Sequence, residues 1–203
     1  MPPPSASRRT VPHDDVADVR ASRSVLSGAV REGRDLEQYF WTRGTVLRLL
    51  EALAIVEEGR VCCLATPALA NAFWASQARA ERCLDIDAGL TFLPKFTRWD
   101  MRAPTPPPES GYWVVVVDPP FFYIPMQQIF EAVVVACGGD FSTKLLFGFL
   151  ARQERQLLHW FAPFGLRRTK FAMEYEHVKP NKWRNYALYS NVSLPGIRFA
   201  SPQ

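Results

Sequence analysis

The chain has 203 residues, of which 48% are apolar, and its formal net charge is +4. That length and apolar content are enough for one sizeable hydrophobic core, and they fit one domain better than two. Four cysteines without a C-x-x-C pair and three scattered histidines argue against a zinc site. No apolar run approaches the ~18 residues that cross a bilayer, and the mild basicity permits an RNA or acidic-protein partner without requiring one.

The first 34 residues differ in composition from the rest of the chain. Residues 1–34 are rich in Pro, Ser and Arg and have little hydrophobic periodicity, which predicts a disordered or extended tail. Acidic residues follow soon after the first arginines, which is not typical of a transit peptide. Cys62 and Cys63 lie in an apolar run and are interpreted as reduced core residues. The sequence therefore predicts a cytoplasmic protein, with mitochondrial import as the minority interpretation.

From residue 35 onward the pattern alternates between helices and strands, and it predicts one folded domain over residues 35–203. This alternation is typical of an α/β protein with a mainly parallel sheet and helices on both faces. The last two strands have no helix between them, which predicts an antiparallel hairpin. The predicted helices cover residues 36–58, 66–79, 125–136 and 152–161, and the predicted strands cover residues 60–65, 82–86, 91–99, 112–117, 144–149, 166–175 and 183–190.

The fourth predicted strand, residues 112–117, ends in four valines and runs directly into Asp118-Pro119-Pro120-Phe121. Such an apolar strand is typical of one covered on both faces, and ligands bind at the carboxyl ends of these strands. The Asp118 carboxylate can accept one N–H of an amino group and the Pro119 carbonyl another, because consecutive prolines donate no hydrogen bonds. Phe121 can stack on a planar base or wall a lysine channel. The alternative is a Pro-rich turn with a capping acid.

DPPF, residues 118–121, resembles the [DNS]-PP-[FYW] signature of methyltransferases that act on amine or planar nitrogens. Over residues 36–191 the chain is similar to the elongation factor 1-alpha lysine methyltransferases, a family first described as adenine-specific DNA methyltransferase-like, and to its RNA-modifying relatives. The resemblance implies a class I methyltransferase, with a Rossmann-like, seven-stranded sheet and a C-terminal antiparallel hairpin. Besides DPPF, the similar segments are QYFWT (38–42), LDID (84–87), FTRWDMRAP (96–104) and KFAMEYEHVKPNKWRNYALYSN (170–191).

The resemblance implies S-adenosylmethionine as the cofactor. In this fold an acid after the second strand accepts hydrogen bonds from the ribose hydroxyls. Asp87 is the first candidate and Asp85 the second, and only one of the two is expected to face the pocket. Asp100 is the candidate acceptor for the adenine amino group. The alternative for each of these acids is an ordinary turn residue.

The loop after the first predicted strand has no glycine, although methyltransferases of this class have a glycine-rich turn there. Thr66 and Pro67 are its candidate cofactor-binding residues, since the family has small residues and proline at this point. Trp41 is a candidate cover of the pocket mouth, with a hydrophobic staple as the alternative. The glycine-free loop also favours a third possibility, a catalytically inactive methyltransferase-like module in a ribonucleoprotein complex, against which the intact DPPF counts.

The resemblance predicts that the substrate is a lysine amine of a protein such as elongation factor 1-alpha. The adenine amino group of RNA or DNA is the alternative, and it requires a flipped or single-stranded base. A basic segment with interleaved aromatic residues, residues 167–184, would then contact phosphates and bases, unless it is an ordinary exposed hairpin face. The candidate substrate-binding residues are Phe122, Tyr123, His177, Asn181 and Trp183.

Overall fold

The computed structural model describes residues 40–176 and 178–201. The predicted tail, residues 1–34, and His177 lie outside the described residues. Within these ranges the chain forms seven strands and four α-helices, which we number in chain order. Strands β1 to β7 are Val61–Leu64, Arg82–Asp85, Phe96–Arg98, Val114–Val117, Lys144–Leu150, Arg167–Arg168 and Tyr186–Ser190, and helices α1 to α4 are Arg43–Leu53, Pro67–Gln77, Met126–Ala136 and Glu154–Trp160.

The seven strands form one sheet in the order β3-β2-β1-β4-β5-β7-β6. Strands β1 to β5 pair in parallel, and β7 is antiparallel to both of its neighbours, β5 and β6. The chain builds outward from β1 to β3 and then returns to place β4 on the other side of β1. The crevice at the carboxyl ends of β1 and β4 is therefore a topological switch point, where open α/β sheets bind ligands.

Local sequence signals explain where the helices begin and end. The hydroxyl oxygen of Thr42 caps α1 by accepting a hydrogen bond from the Thr45 N–H at 3.2 Å. Helix α2 begins with Pro67, whose fixed φ suits the first helical turn. Helix α3 is followed by Gly138 and Gly139, both at positive φ, which ends the helix as predicted.

The sheet separates two hydrophobic cores, because helices cover both of its faces. On one side α1 and α2 bury Leu49, Leu53 and Phe73 against the sheet. On the other side α3 and α4 pack against the sheet. Ile129 of α3 is almost fully buried there, and Phe161, at the end of α4, is fully buried. Strands β1, β2 and β4 are buried along their whole length, which explains why β1 and β4 are continuously apolar. Strand β2 has an apolar centre between Arg82 and Asp85.

The four cysteines are buried free thiols, as predicted for Cys62 and Cys63. Burial raises the pKa of both thiols well above the ordinary value, so they are neutral members of the core. No helix in residues 40–176 and 178–201 combines the length and the apolarity needed to span a membrane.

Most predicted elements are somewhat shorter in the structure, and the first helix and the third strand are clearly so. The first helix, predicted over residues 36–58, is α-helical over Arg43–Leu53, because Thr42 caps it and residues 54–59 form turns. The third strand, predicted over residues 91–99, covers only Phe96–Arg98, because the preceding residues form turns after a 3-10 segment, Ala88–Leu90.

The sixth strand, predicted over residues 166–175, is the largest error. Only Arg167–Arg168 pairs with β7, so the predicted hairpin is two residues long on this side. Phe171, Met173 and Tyr175 alternate with exposed or half-buried residues, as in a strand, and all three are buried. They pack into the core beside α1 and do not pair with β7, and Tyr175 forms an isolated bridge with Trp41. The alternation of buried and exposed side chains therefore arises because an extended segment packs one of its faces against the core.

Candidate active site

A cleft opens at the carboxyl edge of the parallel strands. Its empty volume, open mouth included, is about 940 Å³. The loops after β1, β2, β3 and β4 line it, and Phe40 adds a side chain from the segment before α1. The cleft therefore lies at the switch point that the strand order defines.

All four residues of the DPPF motif line this cleft. Asp118 follows β4 directly, and its backbone N–H donates to the Leu64 carbonyl at 3.3 Å, which keeps the start of the loop beside β1. The Pro120 carbonyl accepts from the Tyr123 N–H at 3.4 Å and closes the turn. The Pro119 carbonyl accepts no backbone hydrogen bond from residues 40–176 or 178–201. This carbonyl and the Asp118 carboxylate are acceptors at the cleft.

Two residues that the sequence interpretation missed contact the Asp118 carboxylate. The Tyr175 hydroxyl donates a hydrogen bond to Asp118 Oδ1 at 3.0 Å. Gly148, in the middle of β5, lies so close that a Cβ on it would be 2.8 Å from the same oxygen. A glycine inside a strand often marks the close approach of another group. The glycine in KLLFGF, residues 144–149, was therefore a sequence signal for this contact. Tyr175 had no comparable local signal.

Asp85, and not Asp87, lines the cleft at the end of β2. Burial raises the pKa of Asp85 to about 6, although its Oδ1 accepts from the Asp87 N–H at 2.9 Å. Asp87 instead caps the 3-10 segment Ala88–Leu90, where its Oδ1 accepts from the Gly89 N–H at 2.8 Å. The predicted order of preference between the two acids is reversed, because the strand ends at Asp85.

Asp100 lines the cleft together with Arg102, a residue that the sequence interpretation did not select. The Arg102 guanidinium donates to both carboxylate oxygens of Asp100, at 3.0 Å each. The side-chain hydrogen bond from Arg102 lowers the pKa of Asp100, so this carboxylate is charged at neutral pH. An adenine amino group at this point would meet an acid that already has an arginine partner.

The glycine-free loop after β1 makes its turn at Ala65. This residue has φ 54°, in the left-handed region that usually requires glycine, and its N–H donates to the Leu84 carbonyl at 2.9 Å. Ala65 and Pro67 line the cleft. The predicted site residue Thr66 is buried behind the loop, where its hydroxyl donates to the Val116 carbonyl at 3.4 Å. Thr66 supports the turn and does not face the cleft.

The predicted aromatic residues divide into two groups. Phe122 and Tyr123 are 51% and 68% exposed, and Tyr123 lines the cleft. The Arg152 guanidinium lies 6.0 Å from the Phe122 ring centroid. Trp41, predicted at the pocket mouth, is instead buried and pairs with the backbone of Tyr175.

Neither Asn181 nor Trp183 is among the described residues that line the cleft. Asn181 is exposed on a 3-10 segment, Pro180–Asn185. The Trp183 indole N–H lies 3.1 Å from the Tyr175 carbonyl and 3.0 Å from that of Val178, and donates to both. Trp183 therefore stabilises the turn after Tyr175. His177 lies outside the described residues.

The predicted basic segment, residues 167–184, is not one continuous face. Arg168 forms an ion pair with Glu154 at 3.0 Å, and the Arg167 guanidinium lies 4.2 Å from the Phe199 ring centroid. Both arginines belong to β6, at the edge of the sheet and three strands away from β4. Within the described ranges, no cluster of three or more potential metal ligands occurs.

This strand order, with a cleft at the carboxyl ends of β1, β2 and β4, defines a class I methyltransferase fold. The crystal structure of a TehB-like SAM-dependent methyltransferase from Corynebacterium glutamicum matches with a TM-score of 0.51 and 11% identity, covering 92% of this chain and 98% of that one. A second match is the crystal structure of the branched-chain polyamine synthase from Thermus thermophilus, in complex with N4-aminopropylspermidine and 5′-methylthioadenosine. Its TM-score is 0.55 and its identity 13%, and the match covers 91% of this chain and 65% of that one. At these identities the likeness shows the fold alone.

The sequence pattern of the family described as "Probable N6-adenine methyltransferase" matches residues 32–193, so the chain belongs to this family. It is a methyltransferase, and its methyl donor is S-adenosylmethionine. No curated protein sequence matches the chain significantly. The predicted family, fold class, activity and cofactor are confirmed, whereas the acceptor substrate is a separate question.

Proposed function

We propose that this chain methylates a lysine amine of a protein, and the sequence resemblance suggests elongation factor 1-alpha as that protein. The pair of acceptors at the cleft, the Asp118 carboxylate and the Pro119 carbonyl, supports transfer to an amino nitrogen, and the packed ring of Phe121 is the observation that favours a lysine amine. Together the two acceptors hold two N–H groups of one amino nitrogen, which directs its lone pair into the cleft. When bound, S-adenosylmethionine supplies an electrophilic methyl group on a sulfonium.

The residues of the cleft fit this cofactor. Asp85 is an acceptor for the ribose hydroxyls, at the end of the second strand where dinucleotide sites have an equivalent acid. Leu84, Ile86 and Met101 are apolar walls suited to the adenine ring. The small Ala65, in its left-handed conformation, lets the backbone after β1 approach the ligand closely.

The surroundings of Phe121 favour an aliphatic amine over a planar base. The Phe121 side chain is only 7% exposed. Its ring meets those of Phe122 and Phe149 edge to face, with centroids 5.7 and 5.4 Å away, and lies 6.0 Å from that of Tyr186. With its ring engaged in this way, Phe121 can wall a narrow channel but has little free face on which a base could stack.

The adenine amino group remains the second candidate because two aromatic side chains beside the motif are exposed. Phe122 and Tyr123 present ring surface on which a flipped or single-stranded base could stack. The family description also points to this acceptor. In this alternative Asp118 and Pro119 hold the exocyclic amino group in the same way.

We also propose that residues 35–203 form the methyltransferase domain, which the match over residues 32–193 supports. The remaining alternative is an inactive module that has kept the fold. Calorimetry with S-adenosylmethionine separates this alternative from the others, because a scaffold without a cofactor site gives no binding heat at millimolar ligand.

The test of the acceptor is transfer of labelled methyl from S-adenosylmethionine into a whole-cell extract. The proposal predicts label that survives nuclease, is lost on protease treatment and is recovered as methyl-lysine after hydrolysis. Purified elongation factor 1-alpha should accept the same label. Label that is lost on nuclease treatment and recovered as N6-methyladenine would overturn the lysine proposal in favour of the alternative.

A further inference from the structure

We propose that Tyr175 is a positioning residue for the reaction, and that its hydroxyl orients the Asp118 carboxylate toward the acceptor amine. This inference rests on the proposed role of Asp118. The Tyr175 hydroxyl lies 3.0 Å from Asp118 Oδ1, and the tyrosine side chain is completely buried. Asp118 lines the cleft, whereas Tyr175 is not among the described residues that line it, so Tyr175 acts on the reaction through the acid.

Several contacts hold the Tyr175 backbone in place. Tyr175 pairs with Trp41 across an antiparallel bridge, and the N–H of Glu176 donates to the Phe40 carbonyl at 2.8 Å. The Tyr175 carbonyl accepts the indole N–H of Trp183 at 3.1 Å. These contacts fix Tyr175 between the segment before α1 and the turn that follows it.

The tyrosine ring is equally constrained. The Tyr175 and Tyr186 ring centroids are 4.5 Å apart. Burial, with the charge of Asp118 as the next cause, raises the pKa of Tyr175 well above its ordinary value. The hydroxyl is therefore protonated at any working pH and serves as a hydrogen-bond donor.

The space around Asp118 complements this donor. Gly148 has no side chain at the point where β5 passes the carboxylate, and a Cβ there would be 2.8 Å from Oδ1. Oδ1 therefore has a donor in the Tyr175 hydroxyl and occupies space that the glycine leaves open. A carboxylate is nearly free to rotate about its terminal torsion when nothing binds it. With Oδ1 bound, its plane is fixed and a defined orientation is presented to the amine.

This arrangement also gives a function to two segments that carried the family resemblance. QYFWT, residues 38–42, supplies the partners of Glu176 and Tyr175, and the C-terminal segment, residues 170–191, supplies Tyr175 itself. Both segments lie far from DPPF in sequence. They pair with each other at Tyr175, whose hydroxyl donates to Asp118.

The test is Tyr175→Phe, which removes the donor and keeps the ring. The proposal predicts a roughly ten- to a hundredfold fall in kcat, as for the loss of a hydrogen bond to a charged group. The affinity for S-adenosylmethionine should stay close to wild type, and the unfolding midpoint should fall only as far as the loss of one buried hydrogen bond requires. The matched control is Tyr189→Phe, because Tyr189 is also completely buried and its hydroxyl donates to a carboxylate, Glu154, at 3.0 Å. That variant should retain kcat within about twofold. It loses a hydrogen bond of the same kind, but one that does not involve Asp118, so the reacting groups stay in place.

A double-mutant cycle with Asp118→Asn separates positioning from packing. If Tyr175 acts through Asp118, Tyr175→Phe should cause little further loss in the Asp118→Asn background. An equal loss of kcat in both backgrounds, or wild-type kcat in Tyr175→Phe, would overturn the proposal. Wild-type kcat in Asp118→Asn alone would instead overturn the proposed role of the acid, which is a different failure.

If Tyr175→Phe does not fold, Gly148→Ala tests the same contact from β5. The added methyl must displace the carboxylate from its place beside the Tyr175 hydroxyl. The proposal then predicts a similar fall in kcat with cofactor affinity retained, and again little further loss in the Asp118→Asn background. Undiminished kcat in Gly148→Ala would contradict it. Gly44→Ala is the control, because a Cβ on this helical glycine meets only ordinary contacts at 3.6 Å or more.

Discussion

Asp85 combines burial with a position at the cleft, and this combination predicts a pH-dependent affinity for the cofactor. Burial raises its pKa to about 6 in the free protein. Ribose hydroxyls donate to the charged form, so below about pH 6 a proton must be released before binding. The Kd for S-adenosylmethionine should therefore rise by about tenfold for each pH unit below that value. Calorimetry between about pH 5 and pH 7.5 measures this directly.

Two variants test whether Asp85 is the source of this pH dependence. Asp85→Asn should weaken binding at neutral pH and give a flat profile, because the amide does not titrate in this range. Asp87→Asn should resemble wild type, since Asp87 caps a 3-10 segment outside the cleft. A wild-type Kd that is constant from about pH 5 to pH 7.5 would contradict the assignment of Asp85.

The choice between Asp85 and Asp87 shows what strand alternation can and cannot determine. Residues two apart in a strand share one face, so alternation does not separate the two acids, and yet only one of them, Asp85, lines the cleft. Which one depends on where the strand ends, and strand ends are poorly determined by periodicity. Likewise, DPPF was placed correctly at the cleft from local sequence, whereas Tyr175 meets Asp118 from 57 residues away and had no local signal.

The loop between β1 and α2 depends on Ala65 adopting a left-handed conformation, which predicts sensitivity to β-branched side chains. Ala65→Val should reduce the free energy of unfolding by about 1–2 kcal/mol, because a β-branched residue is strained at positive φ. The larger side chain should also lower the affinity for S-adenosylmethionine, since Ala65 lines the cleft. Urea denaturation and calorimetry give the two quantities.

The chain provides a matched control at the other end of α2. Ala78 has φ 51°, close to the 54° of Ala65, and it is the C-cap residue of α2. Ala78→Val should cause a similar loss of stability with unchanged cofactor affinity. If Ala65→Val binds S-adenosylmethionine as tightly as Ala78→Val does, this loop does not approach the ligand.

The segment from Lys170 to Tyr175 shows why an extended pattern does not establish a strand. Its alternating burial is real, but it arises from packing against the core beside α1 and not from pairing with β7. Periodicity reports which side chains are covered, and it carries no information about what covers them. The central strands β1, β4 and β5 lie where the sequence predicted them, because central parallel strands are apolar on both faces.

The start of the described chain pairs with the segment around Tyr175. The Thr42 N–H donates to the Glu174 carbonyl at 2.9 Å, and the Glu176 N–H donates to the Phe40 carbonyl at 2.8 Å. Phe40 in turn lines the cleft. The sequence predicted the sheet, its antiparallel last strand and the position of the site, since these follow from element order. It could not predict this pairing, which depends on contacts between distant segments.

The central claim is that the Asp118 carboxylate holds the acceptor amine at the cleft. Its most direct test is transfer of labelled methyl by Asp118→Ala, measured beside calorimetric binding of S-adenosylmethionine to the same variant. Asp140→Ala is the control, because Asp140 is an exposed turn acid that accepts from the Ser142 N–H at 2.8 Å, outside the cleft. We expect Asp118→Ala to bind the cofactor and to lose transfer, while Asp140→Ala retains both. Wild-type turnover by Asp118→Ala would contradict the account.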